Sequence, residues 1–208
     1  MRPIEVTIVV VQAVKILACF LIGAIPFAKV AMLGTGIDIT KTGSKNPGFN
    51  NVLRVCREFG IRSKNPRAAL ALVGDIAKAY VALAIFAPGE PSNVQWMMGI
   101  AAVAGHCWNP FLGWNGGKGV ATTSGMLFYL VHWHLMLCLI LYPTLRMFGR
   151  RMGWKQEGAI SSMTTMFVLS TLVLIIDGVE SGIFAYLTLA IVIVRHRSNI
   201  QEILSSGA

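Results

Sequence analysis

The chain has 208 residues, of which 55% are hydrophobic and only 13% charged, with a mean hydropathy of +0.65. A soluble domain carries about twice that share of charge, so this composition excludes an ordinary soluble fold and points to helices immersed in lipid. The formal net charge of +9 would suggest nucleic-acid binding in a soluble protein, but its distribution here gives it another meaning.

Apolar runs occur in chain order at Val6–Leu33, Ala68–Ala87, Val94–Leu112, Val120–Val131, Trp133–Phe148, Ala159–Ile176 and Gly182–Val194. At about 20 residues per span they predict an all-α integral membrane protein, a single membrane domain over residues 1–208. The fourth and fifth runs are read as two short helices with a turn near His132–His134; one long bent helix is the alternative. The basic residues favour the first choice. Lys41, Lys45, Arg54, Arg57, Arg62, Lys64 and Arg67 lie between the first two runs, Lys118 precedes the fourth, Arg146, Arg150, Arg151 and Lys155 cluster at and beyond the end of the fifth, and Arg195 and Arg197 follow the last. The intervening segments Pro88–Asn93, Val131–His134 and Asp177–Ser181 carry no Lys or Arg. Basic loops mark the cytoplasmic side. Seven spans put every basic loop inside and every bare loop outside, whereas six would split the clusters. The expectation is therefore a seven-transmembrane-helix bundle with its N-terminus outside and its C-terminus cytoplasmic. The net charge then reflects topology, and no nucleic-acid partner is expected. No cleavable signal peptide is expected either.

Cys19, Cys56, Cys107 and Cys138 are scattered, with no ligand spacing, so free thiols are expected and neither a disulfide framework nor a metal site. Asp75 and Lys78, three residues apart in the second run, predict an ion pair inside the membrane, read first as structural.

Three segments are richer in Gly, Asn and basic residues than topology demands. The first, Gly43–Arg54, offers turning glycines, the short donors Ser44, Asn46, Asn50 and Asn51, and the charges of Lys45 and Arg54. Such a loop suits a phosphate, although a plain polar loop under the same charge bias fits the composition equally. The second, Gly105–Thr122, brings Gly116-Gly117-Lys118-Gly119 to the start of the fourth run. There the amides of a helix N-terminus, reinforced by Lys118, favour an anion. It is not a Walker A loop, because the first Gly and the Ser or Thr after Lys are missing and no strand precedes it. His106 reads as a base or, more simply, as structural. The third, Arg195-His196-Arg197-Ser198-Asn199-Ile200, sets two arginines and an Asn around a His. It could line one site or be only a basic stop signal. Together these parts predict a site on the cytoplasmic face for a phosphorylated compound. They do not specify its reaction.

The segments GSKNPGFNNVLR, GHCWNPFLGWNGGKGVAT and RHRSNI resemble, in order and spacing, the three cytoplasmic motifs of the bacterial acyl-phosphate:glycerol-3-phosphate acyltransferases (PlsY). The Ile-Pro-Phe at 25–27 and the Asp75–Lys78 spacing also match, so the resemblance runs from about residue 23 to residue 200. It implies a seven-helix enzyme of the bacterial cytoplasmic (inner) membrane, first in phospholipid synthesis. Such an enzyme moves a fatty acyl group from acyl phosphate to the 1-hydroxyl of glycerol 3-phosphate, giving lysophosphatidic acid and phosphate. It implies no cofactor. The expected partners are acyl phosphate, glycerol 3-phosphate and membrane lipid, with the chain a monomer. Carried over residue by residue, His196, Asn199 and Lys118 are the expected catalytic residues. Ser44, Asn46, Asn50, Asn51, Arg54, Gly116, Gly117, Gly119, Arg195 and Arg197 are the expected substrate-binding residues. The chain departs from the family's usual pattern at Lys45, where a Gly is usual, at Phe49 for Ala, at Asn50 for Thr, at Ala24 for Ser and at Ala159 near a usual Ser. A relative that binds a phosphorylated lipid precursor without turnover, or a small transporter, are the alternatives that these departures and the helix count leave open.

Overall fold

The computed structural model describes residues 2–205, apart from the side chains of His134, Leu135, Leu137 and Cys138. The expectation of a free thiol at Cys138 lies outside the described residues. Among them the regular structure is all helix, with no strand. The helices are α1 (Pro3–Gly23), α2 (Phe27–Ala31), α3 (Phe49–Glu58), α4 (Lys64–Phe86), α5 (Ser92–Cys107), α6 (Val120–Leu130), α7 (His132–Arg151), α8 (Glu157–Ile176), α9 (Val179–Arg195) and α10 (Arg197–Ser205). They form two compact units, Met1–Met126 and Leu127–Ala208.

Each apolar run of the sequence falls on a helix, the first being divided between α1 and α2 by Pro26. Three stretches among the described residues, Pro3–Ala31, Lys64–Phe86 and Glu157–Ile176, are long and apolar enough to cross a membrane. The pair α9–α10, bent by 60°, adds a fourth if it is counted as one span. The chain leaves helical geometry at one residue, Val131, between α6 and α7. The break thus comes one residue before the expected turn.

In lipid there is no hydrophobic gain from bringing two apolar helices together, so association falls to close packing and buried polar bonds. The first unit shows both. α4 turns Ala68, Ala71, Gly74, Asp75, Lys78, Ala79 and Ala82 inward at helical spacing, while Leu70, Val73, Tyr80, Val81 and Ile85 face outward. α1 is apolar on nearly every side, its outward face including Ile8, Val9, Val14, Leu17 and Leu21. Such a surface suits only lipid tails. It meets α5 through glycines. A Cβ on Gly23 would overlap the carbonyl oxygen of Ala102, and one on Gly105 the carbonyl oxygen of Phe20. At the turn between α1 and α2, the Phe27 ring fills the space beside Gly74 of α4. α3 is amphipathic. Its buried Val52, Val55 and Cys56 join Ala28, Ala31, Met32 and Ile39 in a core against Ala68 and Ala71.

In the second unit α8 packs against α7 and α9. Its inner face is likewise small and polar: Ala159, Ser161, Ser162, Thr165 and Ser170 are buried. The Ser170 hydroxyl lies 2.9 Å from the Met166 carbonyl of its own helix and 3.2 Å from the Ala185 carbonyl of α9, and Thr171 meets the Tyr186 hydroxyl at 2.8 Å. The hydroxyls thus sit within reach of backbone that lipid cannot satisfy.

The α1–α5 crossing admits no added methyl without moving backbone. Gly105→Ala is expected to destabilise the protein by about 1–3 kcal/mol. Gly158→Ala, where the nearest atom to a new Cβ is 3.9 Å away, should leave it unchanged. Thermal unfolding of both variants in detergent, followed by tryptophan fluorescence, checks the contrast.

Candidate active site

The first polar segment is only partly a loop. The chain is helical from Phe49, so Asn50, Asn51 and Arg54 stand on the first turns of α3. The reason is the spacing of Asn51, Val52, Val55 and Cys56, which gives α3 one buried face. Arg54 and Asn50 point away from that face and are exposed, as is Ser44; Asn46 is half-buried. Asn51 is buried, and its amide organises the loop. Its Oδ1 accepts the Ser44 backbone N–H at 2.8 Å, and its Nδ2 donates to the carbonyls of Ile39 at 3.2 Å and Thr42 at 3.0 Å. Both amide protons are therefore committed to backbone, and Asn51 shapes the segment from within. At the loop's start, Asp38 accepts from the Thr40 hydroxyl at 2.7 Å and from the Thr40 N–H at 3.0 Å. Those bonds, aided by Lys29 and Lys41, hold its carboxyl below the usual range.

The second segment folds back on the end of α5. A helix leaves its last carbonyls without partners. Here Gly116 N–H donates to the Cys107 carbonyl at 3.1 Å and Gly117 N–H to the His106 carbonyl at 3.1 Å. These two amides, expected to face a phosphate, are turned instead to the chain's own helix end. That leaves Lys118, half-buried, and Gly119, buried and at φ +85° where the chain enters α6. The first amides of α6 follow directly. Asn109 ties the same turn to the end of α1: its Nδ2 donates to the Ala24 carbonyl at 2.6 Å, and its Oδ1 accepts from Phe111 N–H at 2.9 Å.

Behind this turn lies the pair expected within the membrane. Lys78 and Asp75 are each 3% exposed, and the Lys78 ammonium meets Asp75 Oδ1 at 2.8 Å. Its other two protons have partners that the sequence did not suggest, the Ile25 carbonyl at 3.0 Å and His106 Nδ1 at 2.8 Å. An ammonium has no acceptor, so toward Lys78 His106 Nδ1 accepts; the same nitrogen lies 3.5 Å from Asp75 Oδ1, so the ring touches both members of the pair.

In the third segment the helix does not continue straight. α9 ends at Arg195, α10 begins at Arg197, and the chain bends 60° at His196. His196 is 2% exposed, and its Nδ1 lies 2.8 Å from the Val192 carbonyl. A carbonyl only accepts, so Nδ1 carries the proton and Nε2 the lone pair. Asn199 donates from Nδ2 to Oε1 of Gln156, whose own Nε2 donates to Glu202. Gln156, just ahead of α8 at φ +58°, has no motif signature and was not foreseen. Arg195 is half-buried and Arg197 exposed. On α8, Ser161 and Ser162 turn their hydroxyls back to the carbonyls of Glu157 and Gly158, each at 2.7 Å, and Ala159 is buried.

Comparison with known proteins accounts for nearly the whole chain. Residues 13–206 match the family described as glycerol-3-phosphate acyltransferase. A protein of that name from Helicobacter pylori is 41% identical over 114 residues, 54% of this chain and 52% of the relative. The chain thus matches about half the length of that protein. One from Neisseria meningitidis is 33% identical over 192 residues, 89% of this chain and 90% of the relative. Among solved structures, PlsY (YgiH), described as an integral membrane glycerol 3-phosphate acyltransferase, is similar in its glycerol 3-phosphate form. Its TM-score is 0.78 at 27% identity, over 94% of this chain and 92% of that one. The lysophosphatidic acid form gives a TM-score of 0.72. With its outward apolar helices, this chain is a membrane protein, and it belongs to the glycerol-3-phosphate acyltransferase family.

Proposed function

We propose that this chain moves a fatty acyl group from acyl phosphate to the 1-hydroxyl of glycerol 3-phosphate, releasing lysophosphatidic acid and inorganic phosphate. The observation that carries the reading is the family match over residues 13–206, which takes in all three polar segments. The glycerol 3-phosphate and lysophosphatidic acid forms of the similar structure bear the names of the acceptor and the product. Seven spans with the N-terminus outside, in the bacterial cytoplasmic membrane, put the basic segments and the active site on the cytoplasmic side. The chain acts as a monomer and needs no cofactor. Lipid surrounds it and takes up the acyl chain.

Acyl phosphate is already activated, so the reaction is a direct displacement. The glycerol hydroxyl oxygen attacks the acyl carbonyl carbon, an oxyanion forms, and the bond from that carbon to the phosphate oxygen breaks. The hydroxyl proton leaves to His196, whose lone pair is on Nε2, or to a phosphate oxygen of a substrate. Lys118, Gly119 and the first turn of α6 bind one phosphate. Arg54, Asn50, Asn46 and Ser44 bind anionic substrate from the first segment, with Arg195 and Arg197 contributing charge. Asn51, Gly116 and Gly117 serve by shaping the two turns. Asn199, oriented by Gln156, donates to the reacting groups. The rate gain comes from holding two anions in reacting geometry and from donors aimed at developing negative charge.

A second reading, a relative that binds without turnover, draws on two positions. Lys45 replaces a usual Gly and is held at φ +57°, a conformation that is unfavourable for a residue with a Cβ. Ala159 lacks the usual hydroxyl, and Ser161 and Ser162 direct theirs to backbone.

Purified protein supplied with acyl phosphate and glycerol 3-phosphate is expected to release phosphate. Acyl-CoA and carrier-bound acyl donors should not support the reaction. Lys118→Ala and Asn199→Ala, one in each unit, are each expected to abolish release. Full activity in both variants would reject the assigned residues. Binding of glycerol 3-phosphate with no turnover, restored by Ala159→Ser, would establish the second reading. Lys45→Gly is expected to raise stability by about 1 kcal/mol or more, through release of the left-handed strain. A lower unfolding temperature in that variant would show that the Lys45 side chain makes contacts worth more than the strain.

A further inference from the structure

We infer that Asp75 and Lys78 are positioning residues for the Gly116–Gly119 turn, acting through His106. The inference rests on the acyltransferase reading, which assigns that turn to a substrate phosphate. Three observations support it. First, the Lys78 ammonium is saturated: its three protons go to Asp75 Oδ1, the Ile25 carbonyl and His106 Nδ1, all within 3.0 Å. The same ring nitrogen lies 3.5 Å from Asp75 Oδ1, so both members of the pair fix the orientation of the ring. Second, the opposite edge of that ring lies against the turn, for a Cβ on Gly117 would collide with His106 Nε2. Third, the His106 backbone carbonyl accepts the Gly117 N–H. His106 therefore grips Gly117 from two sides, once by its main chain and once by its ring.

The arrangement exceeds what a structural ion pair requires. A buried Lys–Asp pair could be satisfied by backbone carbonyls alone. Here the third proton goes to a ring on another helix, 28 residues away in sequence, and that ring backs the turn leading to Lys118. The charge pair sits behind the turn and is 97% shielded from solvent, so it has no direct route to a substrate. Its reach is through the ring.

Two variants of the full-length protein test this. His106→Asn keeps an acceptor near the Nδ1 position for Lys78, and so keeps the pair satisfied, but removes the ring edge behind Gly117. Asp75→Asn/Lys78→Met removes both charges together, avoiding the lone buried charge that a single change would leave. Phosphate release is measured with each substrate varied in turn. Both variants are expected to raise the KM for one phosphate-bearing substrate by about 10- to 100-fold, the scale of a small misplacement of binding groups, with a smaller change in kcat. A purely structural role predicts fewer active molecules at an unchanged KM. Wild-type KM values for both substrates in either variant overturn the inference. Absence of phosphate release from the unaltered protein instead overturns the acyltransferase reading on which it rests.

Discussion

An ammonium buried among apolar helices must have an acceptor for every proton, and much of the first unit is arranged around meeting that demand at Lys78. The acceptors come from three places: Asp75 on the same helix, Ile25 at the break between α1 and α2, and His106 near the end of α5. Each is needed for its own reason. Asp75 supplies the counter-charge. Ile25, in the break between α1 and α2, offers a carbonyl outside any helix, which accepts from Lys78 beside the Phe27 N–H. The neighbouring Ala24 carbonyl is met in the same way by Asn109. Two side chains from sequence positions 53 and 85 residues away thus close the end of α1. Losing one partner of such a pair costs about 3–5 kcal/mol, since the other charge stays buried.

The same constraint explains the shape of the glycine-rich turn. α5 ends with carbonyls that need donors, and Gly116 and Gly117 provide them by folding back. The backbone comes close enough that a side chain at either position would strike His106. The glycines therefore serve close approach first, and Lys118 and Gly119 follow where the chain enters α6. The first segment follows a parallel plan with a different device. There Asn51, buried on α3, supplies from one amide the donors and the acceptor that the Ile39–Ser44 backbone lacks.

What could be read from the sequence follows the range of the interactions. Apolar runs are local, and every one of them falls on a helix. The Asp75–Lys78 pair is three residues apart, so its spacing alone foretold it. The partnership with His106 spans 28 residues and two helices, and no local pattern encodes it. Hence His106 read as either a base or a structural residue, and Gly116 and Gly117 read as phosphate donors. The helical state of Asn50, Asn51 and Arg54 was obscured by the Gly, Asn and Pro residues around them, although Val52, Val55 and Cys56 carry the helical spacing. Gln156 was invisible because a lone glutamine before a helix has no signature. Its role comes from Asn199 and Glu202, both more than 40 residues away.

Two buried histidines, His106 and His196, bring these threads to a chemical point. Taken as neutral rings, with His106 accepting from Lys78 and His196 donating to Val192, they carry the ring proton on opposite nitrogens. At His106 the lone pair is on Nδ1 and is covered by Lys78, leaving a ring whose outward nitrogen can only donate. At His196 the proton is on Nδ1, given to Val192, and the lone pair is on Nε2. Under the proposed reaction only a histidine of the second kind can accept the proton of the glycerol hydroxyl. His106 would first have to give up Lys78, leaving an ammonium short of an acceptor inside the helices. The same ring in two settings is therefore suited to two tasks: His106 to holding a turn in place, His196 to taking a proton.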